Sequence, residues 1–188
     1  RDVLGSRGLG DVYKRQVDNV SHQKAAVNNS GTVVLNGGTY TRSQEKGTSE
    51  EDSGSNSYYT ILNHGTMTIN EGVTINQGAD GAGKFSSLIE NGWYNGNDNT
   101  GGEPSVMTIN GGTFSGGLNT IKNDDYGELT IKGGTFSSYA QACLLNWNVA
   151  TVEGGTFEGT DSTNATILNG HVTVSYTHLR AHETLRHL

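Results

Sequence analysis

The chain has 188 residues, with 12 Lys and Arg against 19 Asp and Glu, a formal net charge of −7, 28 Gly, one Pro and one Cys. An acidic balance disfavours nucleic acid or an anionic membrane as partner, because both carry charge of the same sign. The lone Cys143 excludes an internal disulfide framework, and abundant Gly, Asn and Thr favour short strands joined by turns with positive φ.

The first sixteen residues share no pattern with residues 17–173. Residues 11–16, Asp-Val-Tyr-Lys-Arg-Gln, read back into codons as GAT GTG TAT AAG AGA CAG, which resembles a translated sequencing-library adapter of the transposase type. Residues 174–184 resemble the same adapter on the opposite strand, and one sample index accounts for Val3-Leu4-Gly5 and for Thr184-Leu185-Arg186-His187. The expectation is that 1–16 and 174–188 are processing scars outside the fold, and that 17–173 is a fragment without native caps. Within 17–173, six Lys and Arg face sixteen Asp and Glu, so the net charge there is −10.

From residue 33 onward one phrase recurs. It reads V-V-L-N-G-G-T-Y at 33–40, in degenerate form M-T-I-N-E-G at 67–72, M-T-I-N-G-G-T-F at 107–114, L-T-I-K-G-G-T-F at 129–136 and A-T-V-E-G-G-T-F at 150–157. Aligned on Leu35, Ile69, Ile109, Ile131 and Val152, the spacings are 34, 40, 22 and 21 residues, so a unit of 21–22 residues carries insertions. A second run precedes each copy and ends on Val27, Ile61, Ile89, Ile121, Leu144 and Ile167, each followed two residues later by Asn29, Asn63, Asn91, Asn123, Asn146 and Asn169.

Strand parity assigns the faces. Residues i and i+2 share a face, so Leu129 and Ile131 point inward while Thr130 points out, and Gly133-Gly134 turns the chain. The outward Thr column (Thr108, Thr130, Thr151) is broken in sequence by the insertions. The Asn shares the inward face of the preceding apolar residue, and a buried amide there needs partners. Coils stacked at the ~4.8 Å interstrand spacing let each Asn amide bond to the next, a structural ladder. Phe114, Phe136 and Phe157, with Tyr40, should stack in one inward column, and Cys143 sits in an apolar run as a buried thiol. No window shows helical periodicity, and a propeller blade needs roughly forty residues. The fold class read from the residues is all-β, a parallel β-helix (solenoid) of about six coils of 21–22 residues plus insertions.

The L-T-I-x-G-G-T-F and I-x-N-x-x-G patterns resemble right-handed parallel β-helices of the pectate-lyase-like superfamily, and more closely the repeat regions of bacterial cell-surface and adhesin-like proteins. The resemblance covers 17–173. It implies an extracellular, surface-attached setting, and it is specific for fold rather than activity, because the fold hosts lyases, hydrolases and binding stalks alike.

Function, if local, belongs to the insertions. Residues 41–57 are polar, contain Arg42 and no apolar anchor, and read as a solvated loop. Residues 76–84 read as a turn extension. Residues 92–104 place Trp93 and Tyr94 beside Asn97 and Asp98, flat apolar faces next to planar hydrogen-bonding groups, which suits a sugar ring. The plainer alternative is that the aromatics pack the loop onto the solenoid flank. An EF-hand reading fails, since Thr100 stands where Gly is required and Val106 where Glu is required.

Asp124 and Asp125, with Glu128 nearby, are adjacent residues that point to opposite faces, so local turn bonding is preferred to an acid/base pair. Lys122, alternating with inward Ile121, should face solvent. His64 and His171 sit just past their turns and form no joint metal site. The sequence thus offers no catalytic set, no metal site and no cofactor motif. Its expected role is a non-catalytic extracellular β-helical stalk or adhesin-like segment, contacting a glycan or host surface through 92–104, with no membrane insertion and with edge-to-edge self-association of the uncapped fragment. The alternative is the β-helical portion of a polysaccharide lyase or glycoside hydrolase.

Overall fold

The computed structural model describes residues 15–19, 24–42, 58–76, 86–96, 98–137, 140–159, 165–170 and 174–176. Its elements are all strands, in two sheets. The larger contains β1 (Gln16–Asp18), β3 (Thr32–Thr41), β5 (Thr66–Asn76), β7 (Ser105–Ile109), β8 (Thr113–Ser115), β10 (Gly127–Ile131), β11 (Thr135–Ser137), β13 (Val149–Val152), β14 (Thr156–Glu158) and β16 (Val174–Tyr176). The smaller contains β2 (Val27–Asn29), β4 (Ile61–Asn63), β6 (Ile89–Asn91), β9 (Asn119–Asn123), β12 (Ala142–Asn146) and β15 (Ile167–Asn169). Every strand pair is parallel, and each strand of the smaller sheet lies on its counterpart one repeat away. The chain is an all-β parallel solenoid. Among the described residues no helix is long and apolar enough to cross a membrane.

The register superposes like residues. Met67, Met107, Leu129 and Ala150 form one buried row, and Ile69, Ile109, Ile131 and Val152 the next. Thr68, Thr108, Thr130 and Thr151 form an unbroken outward row, because the insertions leave the sheet at the turns and return in register. The degenerate copy has an equally local cause. β5 carries Glu71 as one extra residue opposite the Leu35/Gly37 step of β3, and beyond that irregularity Thr74 and Ile75 again face Thr39 and Tyr40. The second Gly of each pair takes positive φ (Gly38 101°, Gly112 116°, Gly134 114°, Gly155 114°), a conformation that costs an L side chain.

Two stacks run along the axis. Phe114, Phe136 and Phe157 stack with nearly parallel rings at centroid separations of 4.7 and 4.8 Å, and the column continues through Ile75 to Tyr40. Burial pushes the Tyr40 phenol pKa up. At the opposite corner the Nδ2 of Asn29, Asn63, Asn91, Asn123 and Asn146 donates to Oδ1 of the next Asn at 2.7–2.9 Å, ending on Asn169. All the amides point the same way, so each bond polarises the next. A second, outward ladder runs from Asn110 through Asn70 to Asn36 at 2.7 Å per step. Cys143 is buried and directs its thiol at the Phe136 carbonyl, 3.3 Å away.

Strand pairing reaches Gln16 at one end and 174–176 at the other. Both lie in the segments resembling adapter. An open parallel edge recruits an extended chain through main-chain groups, which any non-proline sequence supplies.

Candidate functional site

The repeats are interrupted in two neighbouring coils, and the interruptions meet. After Asn29, Asn63 and Asn146 the next inward strand position comes four residues later, at Val33, Met67 and Ala150. After Asn123 it comes six residues later, at Leu129. The two added residues bring Tyr126 to φ 60°, the only non-Gly positive φ among the described residues. The adjacent coil carries the 92–104 insertion, which folds over that tyrosine.

Tyr126 is the pivot of this corner. Trp93 stacks on its ring at 4.5 Å and 28°, and Gly102 lies so close to the ring that an added Cβ would stand 2.5 Å from Cε1. The Tyr126 amide donates to Asn99 Oδ1 (2.7 Å), and its hydroxyl donates to the Thr100 carbonyl (2.8 Å) while accepting from Asn95 Nδ2 (2.7 Å). Asp125 supplies the rest of the grip. Its carboxylate accepts the Asn95 amide at 2.7 Å, and its carbonyl accepts the Trp93 amide at 3.2 Å. His64 packs edge-on against Trp93 at 5.5 Å. Burial lowers its pKa, and a hydrogen bond with the Gly92 backbone opposes this.

The loop residues named from sequence therefore separate. Trp93 is partly buried and docked, whereas Tyr94 is 69% exposed. Asp98 accepts both the amide (2.9 Å) and the hydroxyl (2.7 Å) of Thr100, bonds that hold its carboxyl below the usual range. Asn97 and His171 lie outside the described residues, as do 43–57 and 77–85.

On the outer face of the smaller sheet, next to this corner, stands a polar cluster. Leu62, Glu90, Lys122 and Leu145 occupy one cross-coil row. Lys122 faces outward, as its parity requires, but is only 21% exposed, because it pairs rather than solvates. Its ammonium donates to Asp124 and lies 3.7 Å from Glu90. Glu90, 6% exposed, hydrogen-bonds to Asp124 and accepts from the Tyr59 hydroxyl. Burial first of all, then the Asp124 charge, raise the Glu90 carboxyl to about 7, against the opposing pull of Lys122. Burial and Glu90 push the Tyr59 phenol up. Asp124 and Asp125 thus serve opposite sides of one turn, the first held by Lys122 and Glu90, the second gripping the loop.

Arg42 departs from its expected place. It is 1% exposed instead of solvated, donating Nη1 to the Tyr58 carbonyl at 2.9 Å with its guanidinium 5.7 Å from the Tyr58 ring centroid. A weakly hydrated planar cation tolerates such burial against an aromatic ring. It joins the chain on either side of 43–57.

Sequence reasoning missed Tyr126, Glu90 and Tyr59. The lengthened Asn123–Leu129 turn signalled the first, and the shared middle position of Ile89-Glu90-Asn91 and Ile121-Lys122-Asn123 signalled the Glu90–Lys122 pair. Among the described residues no three His, Cys, Asp or Glu side chains group to hold a metal ion. No family model, curated protein or solved structure matches this chain.

Proposed function

We propose that this chain is a non-catalytic segment of an extracellular bacterial surface protein, a β-solenoid stalk related to the pectate-lyase-like superfamily that presents the 92–104 platform to a glycan or host surface. The observation carrying this reading is the docking of the loop. Hydrogen bonds to Asp125 and Tyr126 and the Trp93–Tyr126 stack hold it in one arrangement, while Tyr94 projects from it. A platform ordered before binding loses less entropy on contact, and an exposed tyrosine beside amides suits the apolar face and hydroxyl rim of a sugar. With Asp98 and Glu103 in the loop and no Lys or Arg between 92 and 104, neutral or amino sugars fit better than uronic acids.

A glycan array probed with the full 188-residue chain tests this. Binding that Tyr94→Ala abolishes supports it, and absence of binding to any neutral or amino sugar ends it. The same reading expects β1, β2, β14, β15 and β16, each paired on one side only among the described residues, to pair between copies. A monodisperse monomer on sizing counts against that part.

The enzyme alternative draws on the Glu90–Asp124–Lys122–Tyr59 cluster, which combines a carboxyl titrating near neutrality with a cation. The cluster's groups are bonded to one another, and Glu90 and Asp124 are almost wholly buried. That favours a structural role over an acid/base site open to substrate. Cleavage of a polysaccharide by the parent but not by Lys122→Met would reverse the preference.

A further inference from the structure

The polar cluster and the platform share one turn, and this sharing couples them whatever the platform binds. Asp124 receives the Lys122 ammonium and the Glu90 hydrogen bond through its side chain, while its amide donates to the Asn91 carbonyl at 2.8 Å and its carbonyl accepts from Gly127 at 3.0 Å. The next residue, Asp125, holds two loop amides, and the one after, Tyr126, holds the Trp93 ring. Nothing separates the two functions except successive peptide bonds, so a displacement of Asp124 moves the residues that grip the loop.

We propose that the Glu90–Asp124 carboxyl pair is a proton-operated latch that keeps the 92–104 platform docked when it shares a proton and loosens it when that proton leaves. In the protonated state the Glu90 O–H donates to the Asp124 carboxylate, Lys122 balances the one negative charge, and the buried set is neutral. On deprotonation the proton passes to solvent and the Glu90–Asp124 hydrogen bond is lost. Two carboxylates then share one ammonium in a poorly hydrated place, where like charges repel strongly. Asp124 is the member able to move, because it sits on a turn and Glu90 sits within β6. The groups facing Glu90 are Tyr59 before β4, Lys122 on β9 and Asp124 beyond β9; Tyr58 stands behind Tyr59, and His64 and Asp125 stand at the corner itself. The affinity of Glu90 for its proton, about 7, lies in the neutral range.

Hydrogen–deuterium exchange on the full chain tests the latch, comparing peptides from 92–104 with a control from the stacked coil at 107–114, each corrected for the intrinsic pH dependence of exchange. Protection of the loop should fall between pH 6 and 8, by up to about tenfold per pH unit above the midpoint, with the control unchanged. Glu90→Gln, whose amide still donates to Asp124 but cannot ionise, should keep the loop protected across the range. Lys122→Met, which removes the cation, should move the transition to higher pH and serves if the Gln variant fails to fold. The proposal is overturned if loop protection does not change with pH. It is equally overturned if the change survives Glu90→Gln, if it vanishes in His64→Phe, or if Lys122→Met leaves the midpoint in place or lowers it.

Discussion

Replacing Asn123 by Asp exchanges one side-chain nitrogen for oxygen and leaves the residue's shape intact, which makes it a direct probe of the inward ladder. The Asn123 Nδ2 hydrogens are shared among the Gly127 carbonyl (2.9 Å), Asn146 Oδ1 (2.7 Å) and the Val149 carbonyl (3.0 Å), and its Oδ1 accepts from Asn91 (2.8 Å). In the Asp variant an acceptor faces three acceptors at a position with no solvent exposure. A buried polar group left without its partner costs about 1–3 kcal/mol, so losing two donors costs about 2–6 kcal/mol. Protonation of the new carboxyl restores one donor, so the loss should ease on acidification. Urea unfolding followed by circular dichroism should give a loss of about 3–5 kcal/mol at neutral pH, in the range of other broken buried polar pairs. Asn169→Asp, at the exposed end of the ladder, should cost under about 1 kcal/mol, because water can solvate the new charge. A neutral-pH loss below about 1 kcal/mol for Asn123→Asp, or one equal to that of Asn169→Asp, would refute the reasoning.

Phe136→Ala empties the middle of the aromatic stack, where the side chain is fully buried between Phe114 and Phe157, and should cost about 3–5 kcal/mol in the same assay. Phe157→Ala, at a partly buried position, should cost clearly less. Gly92→Ala would put a Cβ 2.2 Å from the Asp125 carbonyl at φ 90° and should undock the loop, seen as increased exposure of Trp93 to a fluorescence quencher. Gly96→Ala, with φ 71° but open space around it, isolates the backbone strain and should cost about 1–3 kcal/mol without undocking. Stability should also depend on pH through Glu90. Its folded pKa of about 7 lies above the ordinary 4.5, so the folded state binds the extra proton and stability falls as pH rises through that window, by roughly 3 kcal/mol in all. Thermal melts of Glu90→Gln should lack that fall, leaving the variant more stable than the parent at pH 8 and no more stable at pH 5.

The repeat made the fold legible because each coil states its geometry again in local terms. Parity places Ile109, Ile131 and Val152 inside, the Gly pairs mark the corner, and stacking puts equivalent residues on one another whatever the length of the insertions. The corner around Tyr126 was not legible in this way, since it arises where two coils depart from the pattern. The contacts there join Trp93 to Tyr126 and Asn95 to Asp125 across some thirty residues. Composition sets 92–104 apart from the repeats, but which aromatic docks and which projects depends on a partner turn in another coil.

By itself, then, the sequence determined the strands, their inward faces and the parallel solenoid, because these follow from a period of two, glycine's access to positive φ and the repetition of both. Tertiary structure alone decided that Glu90 and Asp124 are buried together, that Lys122 is shared between them, and that Tyr126 carries the loop. Burial and proximity set the energy of a charge, and neither is a property of one residue or of its sequence neighbours.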